Sequence, residues 1–154
     1  MNNNHSLCSL RPLLLCFFLF FSCSRHPNNY ASFMRFERGG WRQQQNALCE
    51  VLIEDTLSLF HIDITGSINY FYFFDSLSVV LTVSAPSGES FADTLSFGFT
   101  KDRRNLCEDF RFPYCSQVQF KEAGVWKFSF HHNMGVGVLR GVWCLGVFVE
   151  IDEC

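Results

Sequence analysis

Apolar and polar residues alternate with a period of two along most of the chain after residue 47. In the clearest run, residues 77–83 (LSVVLTV), leucine and valine alternate mostly with serine and threonine. Similar runs cover residues 49–53, 60–65, 91–99, 126–131 and 143–151. Because successive side chains of a strand point to opposite faces, this alternation predicts strands that pack on one face and meet water on the other.

Turn signals separate these runs. Pro86-Ser87-Gly88 and Glu122-Ala123-Gly124 are typical of short hairpin connections. The charged residues 101–114 (KDRRNLCEDFRFPY) predict an exposed loop that could include one helical turn. About seven short strands at this spacing predict an all-β fold, a single antiparallel β-sandwich of jelly-roll or immunoglobulin type.

The N-terminal pattern is different, because an apolar run covers residues 12–21 directly after Arg11. A membrane-spanning helix needs about 20 apolar residues, whereas the apolar region of a signal peptide has about 7–15. The run ends in Ser22-Cys23, a small residue before a cysteine, as in bacterial lipoprotein signals. We therefore expect cleavage after residue 22 and a lipid on Cys23. An ordinary secretory signal and a retained anchor are the alternatives.

These observations divide the chain into three parts. Residues 1–22 are the predicted signal peptide. Residues 23–46 are predicted to be a tether and lead-in, because Pro27 and Gly39-Gly40 interrupt any regular pattern there. Residues 47–154 are the predicted β-sandwich domain, which is long enough for one hydrophobic core.

Composition narrows the choice of partners. Of the 12 basic and 15 acidic side chains, only Arg11 precedes residue 23, so the predicted mature chain has 11 basic and 15 acidic side chains and a net charge of −4. This balance argues against nucleic acid, which favours a basic surface. Aromatic residues make up 17% of the chain, and most of the 19 phenylalanines follow the predicted signal, so the chain has ample material for a core.

The cysteines suggest one crosslink. Five of the 8 cysteines follow Cys23, and an odd number cannot all pair within one chain. Cys107 and Cys115 flank Pro113 in the predicted loop, so we expect these two to form a disulfide. Buried or unpaired thiols are the alternative. No C-x-x-C pair occurs, which argues against a structural zinc site.

No catalytic constellation is evident. His131 and His132 are adjacent, so on a strand they would point to opposite faces and could not share one metal. Asp55, Asp63 and Asp75 lack the spacing of a calcium loop and are predicted to be solvated carboxylates. The chain has neither a G-x-S-x-G nor an H-E-x-x-H motif. We expect no catalytic residue, metal or cofactor.

The most unusual segment after the signal is a run of five consecutive aromatic residues, Tyr70, Phe71, Tyr72, Phe73 and Phe74. A strand with this sequence would place rings on both faces, and a sandwich buries only one. Contiguous exposed apolar surface often marks an interaction site. The run is therefore a candidate interaction surface, unless a neighbouring segment covers it.

Several short segments follow one another in a recognisable order. They are Gly40-Trp41, Asp55-Thr56, the aromatic run before the strand at 77–83, Ala85-Pro86-Ser87-Gly88 and Asp93-Thr94-Leu95. The C-terminal part adds Phe120, Gly124, Trp126, Phe128, Met134, Leu139, Gly141-Val142, Gly146-Val147 and Val149-Glu150. In these segments the chain resembles GldH, the gliding motility-associated lipoprotein family of Bacteroidota. Each is a turn glycine or a core position, so the resemblance is one of pattern.

The resemblance implies a role without catalysis. GldH-type lipoproteins belong to the gliding machinery, which is linked to type IX secretion, and act in the envelope beside other lipoproteins. Bacteroidota surface lipoproteins tend to carry acidic residues after the lipid-bearing cysteine, whereas Ser24-Arg25-His26 follows Cys23 here. The resemblance therefore implies the periplasmic face of the outer membrane. The main alternative is a glycan-binding lipoprotein that uses exposed aromatic rings, with Trp41, Tyr70, Tyr72 and Trp143 as candidates. An enzyme is the third hypothesis, and it would need convergent polar groups in a pocket.

Overall fold

Ten strands make up the regular structure of the chain in a computed structural model, which describes residues 29–37, 40–99 and 107–152. No helix occurs among those residues. The strands are β1 (Asn29–Arg35), β2 (Trp41–Arg42), β3 (Ala47–Ile53), β4 (Phe60–Asn69), β5 (Ser76–Ser84), β6 (Ser90–Gly98), β7 (Cys107–Val118), β8 (Gly124–His132), β9 (Val138–Leu139) and β10 (Val142–Ile151).

The strands form two four-stranded sheets and one small ribbon, and every pairing is antiparallel. The first sheet has the order β1-β10-β4-β7, and the second has the order β3-β8-β5-β6. Strands β2 and β9 pair only with each other. The two large sheets pack face to face, so the fold is an all-β antiparallel sandwich, as the alternating pattern predicts.

The core lies between the inner faces of the two sheets. Strand β3 shows the principle, because its residues are alternately buried and exposed along its whole length. The first sheet contributes Ile62, Ile64, Leu145, Val147 and Val149, and the second contributes Cys49, Val51, Leu77, Val79, Leu81, Phe128 and Phe130. Fully burying one such large apolar side chain contributes about 1.5–3 kcal/mol, which makes this layer the main source of stability.

The structure has more strands than the roughly seven that the sequence predicts. Strand β1 falls inside the predicted tether, and it pairs along its whole length with β10. Its pattern is weak because it is an edge strand, and its inward positions include Ser32 between Tyr30 and Met34. The short strands β2 and β9 have two residues each, too few for any periodic signal.

The predicted loop at 101–114 is wrong from Cys107 onward, where β7 begins. Phe110 and Phe112 pack toward the core, while Asp109 and Arg111 alternate with them on the outer face. The charges and Pro113 obscure this alternation in the sequence. Proline is tolerated here because β7 is an edge strand, where one side of the backbone needs no partner.

Candidate functional site

The aromatic turn, residues 70–74, connects β4 to β5 and is fixed by its backbone. Asn69 Oδ1 accepts a hydrogen bond from the Phe71 N–H (2.9 Å), and the Asn69 carbonyl accepts one from the Tyr72 N–H (2.9 Å). Asparagine favours such turns because its side chain can stand in for a backbone acceptor. Both hydrogen bonds to Asn69 therefore fix the start of the turn.

The five rings of the aromatic turn divide into one buried and four exposed. Tyr72 is only 3% exposed, and its hydroxyl donates a hydrogen bond to the Ser76 carbonyl (2.7 Å). Burial raises the pKa of the Tyr72 phenol above its usual value, so it stays neutral. Phe73 is 78% exposed, and Tyr70, Phe71 and Phe74 are exposed as well. Tyr72 therefore drops out of the candidate surface, and the function of the other four rings stays a prediction.

The turn lies at the end of the sandwich away from the start of β1. Asn29 pairs with Glu150, and Glu150 pairs with His61 near the beginning of β4. The aromatic turn follows Asn69, the last residue of the same strand. A strand rises about 3.3 Å per residue, so the length of β4 separates these two ends by roughly 30 Å.

A cleft of about 640 Å³ adjoins the aromatic turn. It lies between that turn, the segment after β1 and the turn that joins β9 to β10. Its lining is Phe36, Glu37, Gly40, Asn69, Phe71, Arg140, Gly141, Val142 and Trp143. The Gly141 carbonyl accepts a hydrogen bond from the Asn69 N–H (2.8 Å), which ties the two turns together.

The cleft combines exposed aromatic rings with two charged side chains. Exposed rings of Phe71 and Trp143 stand beside one acid, Glu37, and one base, Arg140. Among the residues that the structure describes, no group of three histidine, cysteine or carboxylate side chains could hold a metal. Aromatic rings with a few polar groups can contact a protein surface or a sugar ring.

Two of the four rings proposed for glycan binding are buried. Trp41 is fully enclosed, stacked on Phe36 (4.8 Å between ring centroids) and meeting His132 edge-on (5.1 Å). Its Nε1–H donates to the Gln45 carbonyl (2.7 Å), so its polar atom is also satisfied. Tyr72 is buried as described above, which leaves Tyr70 and Trp143 as exposed candidates.

The predicted disulfide between Cys107 and Cys115 is wrong. Both residues lie on β7, eight positions apart, which is roughly 26 Å along an extended strand. Disulfide-bonded Cα atoms lie within about 7 Å. Cys49, Cys107, Cys115 and Cys144 are all free thiols. Burial raises the pKa of the Cys49 thiol to about 11, so this cysteine acts as an apolar core residue.

The adjacent histidines have different surroundings, as expected for neighbours on a strand. His132 is completely buried and His131 is partly exposed. Neither ring nitrogen of His132 has a hydrogen-bond partner among the described residues. Burial lowers the pKa of His132, His131 lowers it further, and the Trp41 backbone offsets part of this effect. The ring is therefore neutral and belongs to the core.

Asp63 is not the solvated carboxylate that the sequence predicts. It is 4% exposed although it lies on the outer face of the first sheet. His61 contacts one carboxylate oxygen (2.7 Å), and Arg111 from β7 contacts the other. Arg111 also donates to Glu150 (2.8 Å) and stacks over the Phe148 ring (4.3 Å). The sequence did not predict this cluster of His61, Asp63, Arg111 and Glu150, because Arg111 was placed in the predicted loop.

Asp55 has a local structural role. Its Oδ1 accepts hydrogen bonds from the N–H groups of Leu57 (2.7 Å) and Ser58 (3.1 Å). Its Oδ2 accepts one from the Ser58 hydroxyl (2.6 Å). These bonds shape the connection between β3 and β4.

The predicted lipid site, Cys23, and the predicted signal peptide lie outside the described residues. Within residues 29–37, 40–99 and 107–152, the structure contains no helix with the length and apolar character needed to cross a membrane.

Comparison with known proteins gives one family. The model of the GldH lipoprotein family matches residues 28–149, which include all but the last two residues of the sandwich strands. A search of curated proteins finds no match for the chain. Because the family match spans most of the sequence and nearly all of the sandwich, this chain belongs to the GldH lipoprotein family.

Proposed function

We propose that this protein is a non-catalytic, lipid-anchored component of the cell envelope that works with the gliding motility and type IX secretion machinery. Membership of the GldH lipoprotein family is the observation that carries the proposal. The exposed rings of the aromatic turn add a surface suited to a protein partner.

The proposed anchor is Cys23, on the periplasmic face of the outer membrane. Cys23 precedes Asn29, the start of β1, by six residues, which span at most about 20 Å. A tether this short keeps the starting end of β1 close to the bilayer. The aromatic turn, roughly 30 Å away along β4, then projects into the periplasm, where it can meet another envelope lipoprotein or a motility component.

The anchor is tested by comparing two leader cysteines. Cys23→Ala should release the protein from membranes or leave an unprocessed precursor, because the lipid has no other attachment point. Cys16→Ala is the matched control and should be processed and retained like the wild type. Mass spectrometry of the mature N-terminus should find the lipid mass on Cys23. A bare thiol on processed material would exclude the anchor.

The partner surface is tested with two equally drastic changes at opposite ends of the sandwich. Phe73→Asp places a charge on the most exposed ring of the aromatic turn. Leu57→Asp does the same at an 86% exposed leucine in the connection between β3 and β4. Crosslinking in solubilised envelopes should recover envelope lipoproteins or motility components with the wild type and Leu57→Asp, and much less with Phe73→Asp. Equal recovery by both variants would contradict the proposed surface.

Glycan binding is a second candidate, supported by the exposed Trp143 in the 640 Å³ cleft. It predicts that Trp143→Ala weakens binding to an oligosaccharide by at least ten-fold, since the ring would provide the stacking surface. Isothermal titration with envelope-derived oligosaccharides measures this effect. Val138→Ala is a suitable control, because this exposed side chain lies outside the cleft lining.

We further propose that the sandwich is a jelly roll. Without the two-residue strands β2 and β9, eight strands remain in two sheets of four, which is the composition of that fold. Numbered one to eight in chain order, they follow the orders 1-8-3-6 and 2-7-4-5. A crystal structure in which β1 pairs with a strand other than β10 would contradict this assignment.

A further inference from the structure

A second cleft, of about 340 Å³, lies on the side of the sandwich where β6 and β7 are the edge strands. Its volume is in the range of small-molecule sites. Most of its lining is apolar, including Val83, Phe91, Tyr114, Val118, Phe120 and Trp126. The cleft therefore extends the hydrophobic core toward the solvent instead of ending it at a closed edge.

Irregularities in β7 bring side chains into this cleft. The register between β4 and β7 shifts on both sides of Ile62, and Gln117 has a positive φ of 56°. Such bulges bend a strand and re-aim its side chains. As a result the neighbours Tyr114 and Cys115 both line the cleft, although regular strand geometry would send them to opposite faces.

Phe91 shows that the cleft is an incomplete piece of core. It pairs with Val83, which is buried, so it projects from the core-facing side of β6. Nevertheless, 56% of Phe91 is exposed. A large ring that faces the interior but lacks cover on one side leaves apolar area for a ligand to bury.

The groups that could carry charge are at the margin of the cleft. Glu89 and Lys121 are exposed and of opposite sign. Burial raises the pKa of Tyr114 to about 12 and also raises the pKa of Cys115, so both stay neutral at physiological pH. A long apolar chain with a small polar end matches this arrangement better than a charged or sugar ligand does.

The position of the cleft indicates where such a chain would come from. Ile62 lines the cleft and follows His61, which is linked through Glu150 to Asn29 at the start of β1. The cleft is therefore at the same end of the sandwich as Asn29, the residue that a lipid on Cys23 would hold near the membrane. Four strands about 4.8 Å apart make the first sheet, so its two edges are only about 14 Å from each other.

We propose that the cleft between β6 and β7 binds a single long fatty acyl chain. The location argument depends on the proposed anchor at Cys23, whereas the cleft and its lining do not. The same chemistry could come from the protein's own lipid or from a lipid of the adjacent membrane. In either case the bound chain would cover Phe91 and complete the core at this edge.

The test uses the chain from Ser24 onward, which contains every strand that the structure describes and lacks the proposed lipid attachment at Cys23. The fluorescent fatty acid cis-parinaric acid should bind saturably and be displaced by saturated fatty acids of increasing length. Each additional buried methylene should tighten binding roughly four-fold until the cleft is full, after which affinity levels off. Unsaturable uptake, or affinity independent of chain length, would overturn the proposal.

Two variants of matched exposure locate the site. Phe91→Asp puts a charge into the cleft and should weaken binding by roughly ten-fold or more. Leu52→Asp makes a similar change at a leucine that is 52% exposed on the outer face of β3, and it should bind like the wild type. Equal affinities of the two variants would contradict the assignment. Labelling the wild-type chain with a photoreactive fatty acid tests the site without relying on the folding of a variant. Its adducts should map to the peptides that contain Phe91 or Tyr114. Adducts confined to other peptides would contradict the assignment of the cleft.

The two sources are distinguished with lipidated protein in bilayer nanodiscs that contain a photoreactive phospholipid. Adducts at the cleft assign the chain to a membrane lipid. If the photoreactive phospholipid does not label the cleft in lipidated protein but does label it in the chain from Ser24, the bound acyl chain belongs to the protein's own lipid anchor. The outcome is also separable from the proposed function, since a failed anchor would leave acyl binding by the unlipidated chain intact, and a failed cleft would leave membrane retention intact.

Discussion

Gly141 should be the most sensitive glycine next to the aromatic turn. It lies between β9 and β10 with a φ of +88°, a conformation that L side chains rarely adopt. A Cβ atom there would stand 2.1 Å from the Tyr72 nitrogen and 2.6 Å from the Phe71 carbonyl carbon. Gly141→Ala therefore cannot keep both its own backbone conformation and the position of the turn.

Two costs determine the size of the effect. Holding alanine at a left-handed φ costs about 1–2 kcal/mol. The backbone of the aromatic turn must also move by about an ångström, and overpacking of this kind costs about 1–3 kcal/mol. We therefore expect Gly141→Ala to lower the free energy of unfolding by roughly 2–5 kcal/mol, a large part of the 5–15 kcal/mol typical of a domain.

Gly88→Ala separates the two costs. Gly88 also has a positive φ, +96°, but nothing lies within 4 Å of its hypothetical Cβ. This variant should lose only the backbone component, about 1–2 kcal/mol. Urea unfolding of the chain from Ser24, followed by tryptophan fluorescence, measures both variants, because Trp41 is fully buried in the native state.

The comparison can refute the packing argument. If Gly141→Ala and Gly88→Ala reduce stability equally, to within about 0.5 kcal/mol, contact with the aromatic turn contributes nothing. If Gly141→Ala is more destabilising, it should also impair partner crosslinking at temperatures where the protein remains folded. Gly88→Ala should leave that crosslinking unchanged, since Gly88 lies in the hairpin between β5 and β6.

Three further outcomes follow from buried polar and sulfur groups. Because the pKa of His132 is lowered in the folded state, the histidine of the unfolded chain is protonated first as pH falls. The free energy of unfolding should therefore decrease as pH drops below about 6.5. His132→Leu should flatten this pH dependence in urea titrations, and a pH dependence equal to that of the wild type would contradict the role of His132. Without reductant, iodoacetamide should label Cys107 in the native protein but should label Cys49 only after unfolding. A native Cys107 that does not react with iodoacetamide would contradict its assignment as a free thiol. Arg111→Ala should lower the free energy of unfolding by about 1–2 kcal/mol because the buried Asp63 carboxylate loses its arginine partner, and Arg111→Lys should have an intermediate effect. Free energies of unfolding equal to that of the wild type would show that the Arg111–Asp63 pair does not contribute to stability.

Local pattern was sufficient for the class of fold. The burial of β5 alternates along its whole length, and a sheet face that is apolar at every second position must be covered by another apolar face. The aromatic content made a packed core certain. The edge strands were harder to recognise, because β1 and β7 carry polar or charged residues on the sides that meet water.

Only the tertiary structure could decide which cysteines, rings and charges meet. Proximity in sequence suggested that Cys107 and Cys115 pair, but an extended strand carries neighbours apart. Five consecutive aromatic residues look alike in sequence, but of these five only Tyr72 is buried, where its ring meets Phe99 and its hydroxyl bonds to the Ser76 carbonyl. Likewise Trp41 was predicted as a candidate exposed ring, but it is fully buried and its ring contacts Phe36 and His132.

The sequence by itself determined that the chain from residue 47 onward forms antiparallel strands around an aromatic core, because strand periodicity is a local property. It also indicated the family, since turn glycines and core positions keep their order along the chain. The tertiary structure decided that four rings of the aromatic turn face solvent and that a cleft opens between β6 and β7. Both depend on how separate strands meet, and contacts between distant segments leave no periodic trace in any one of them.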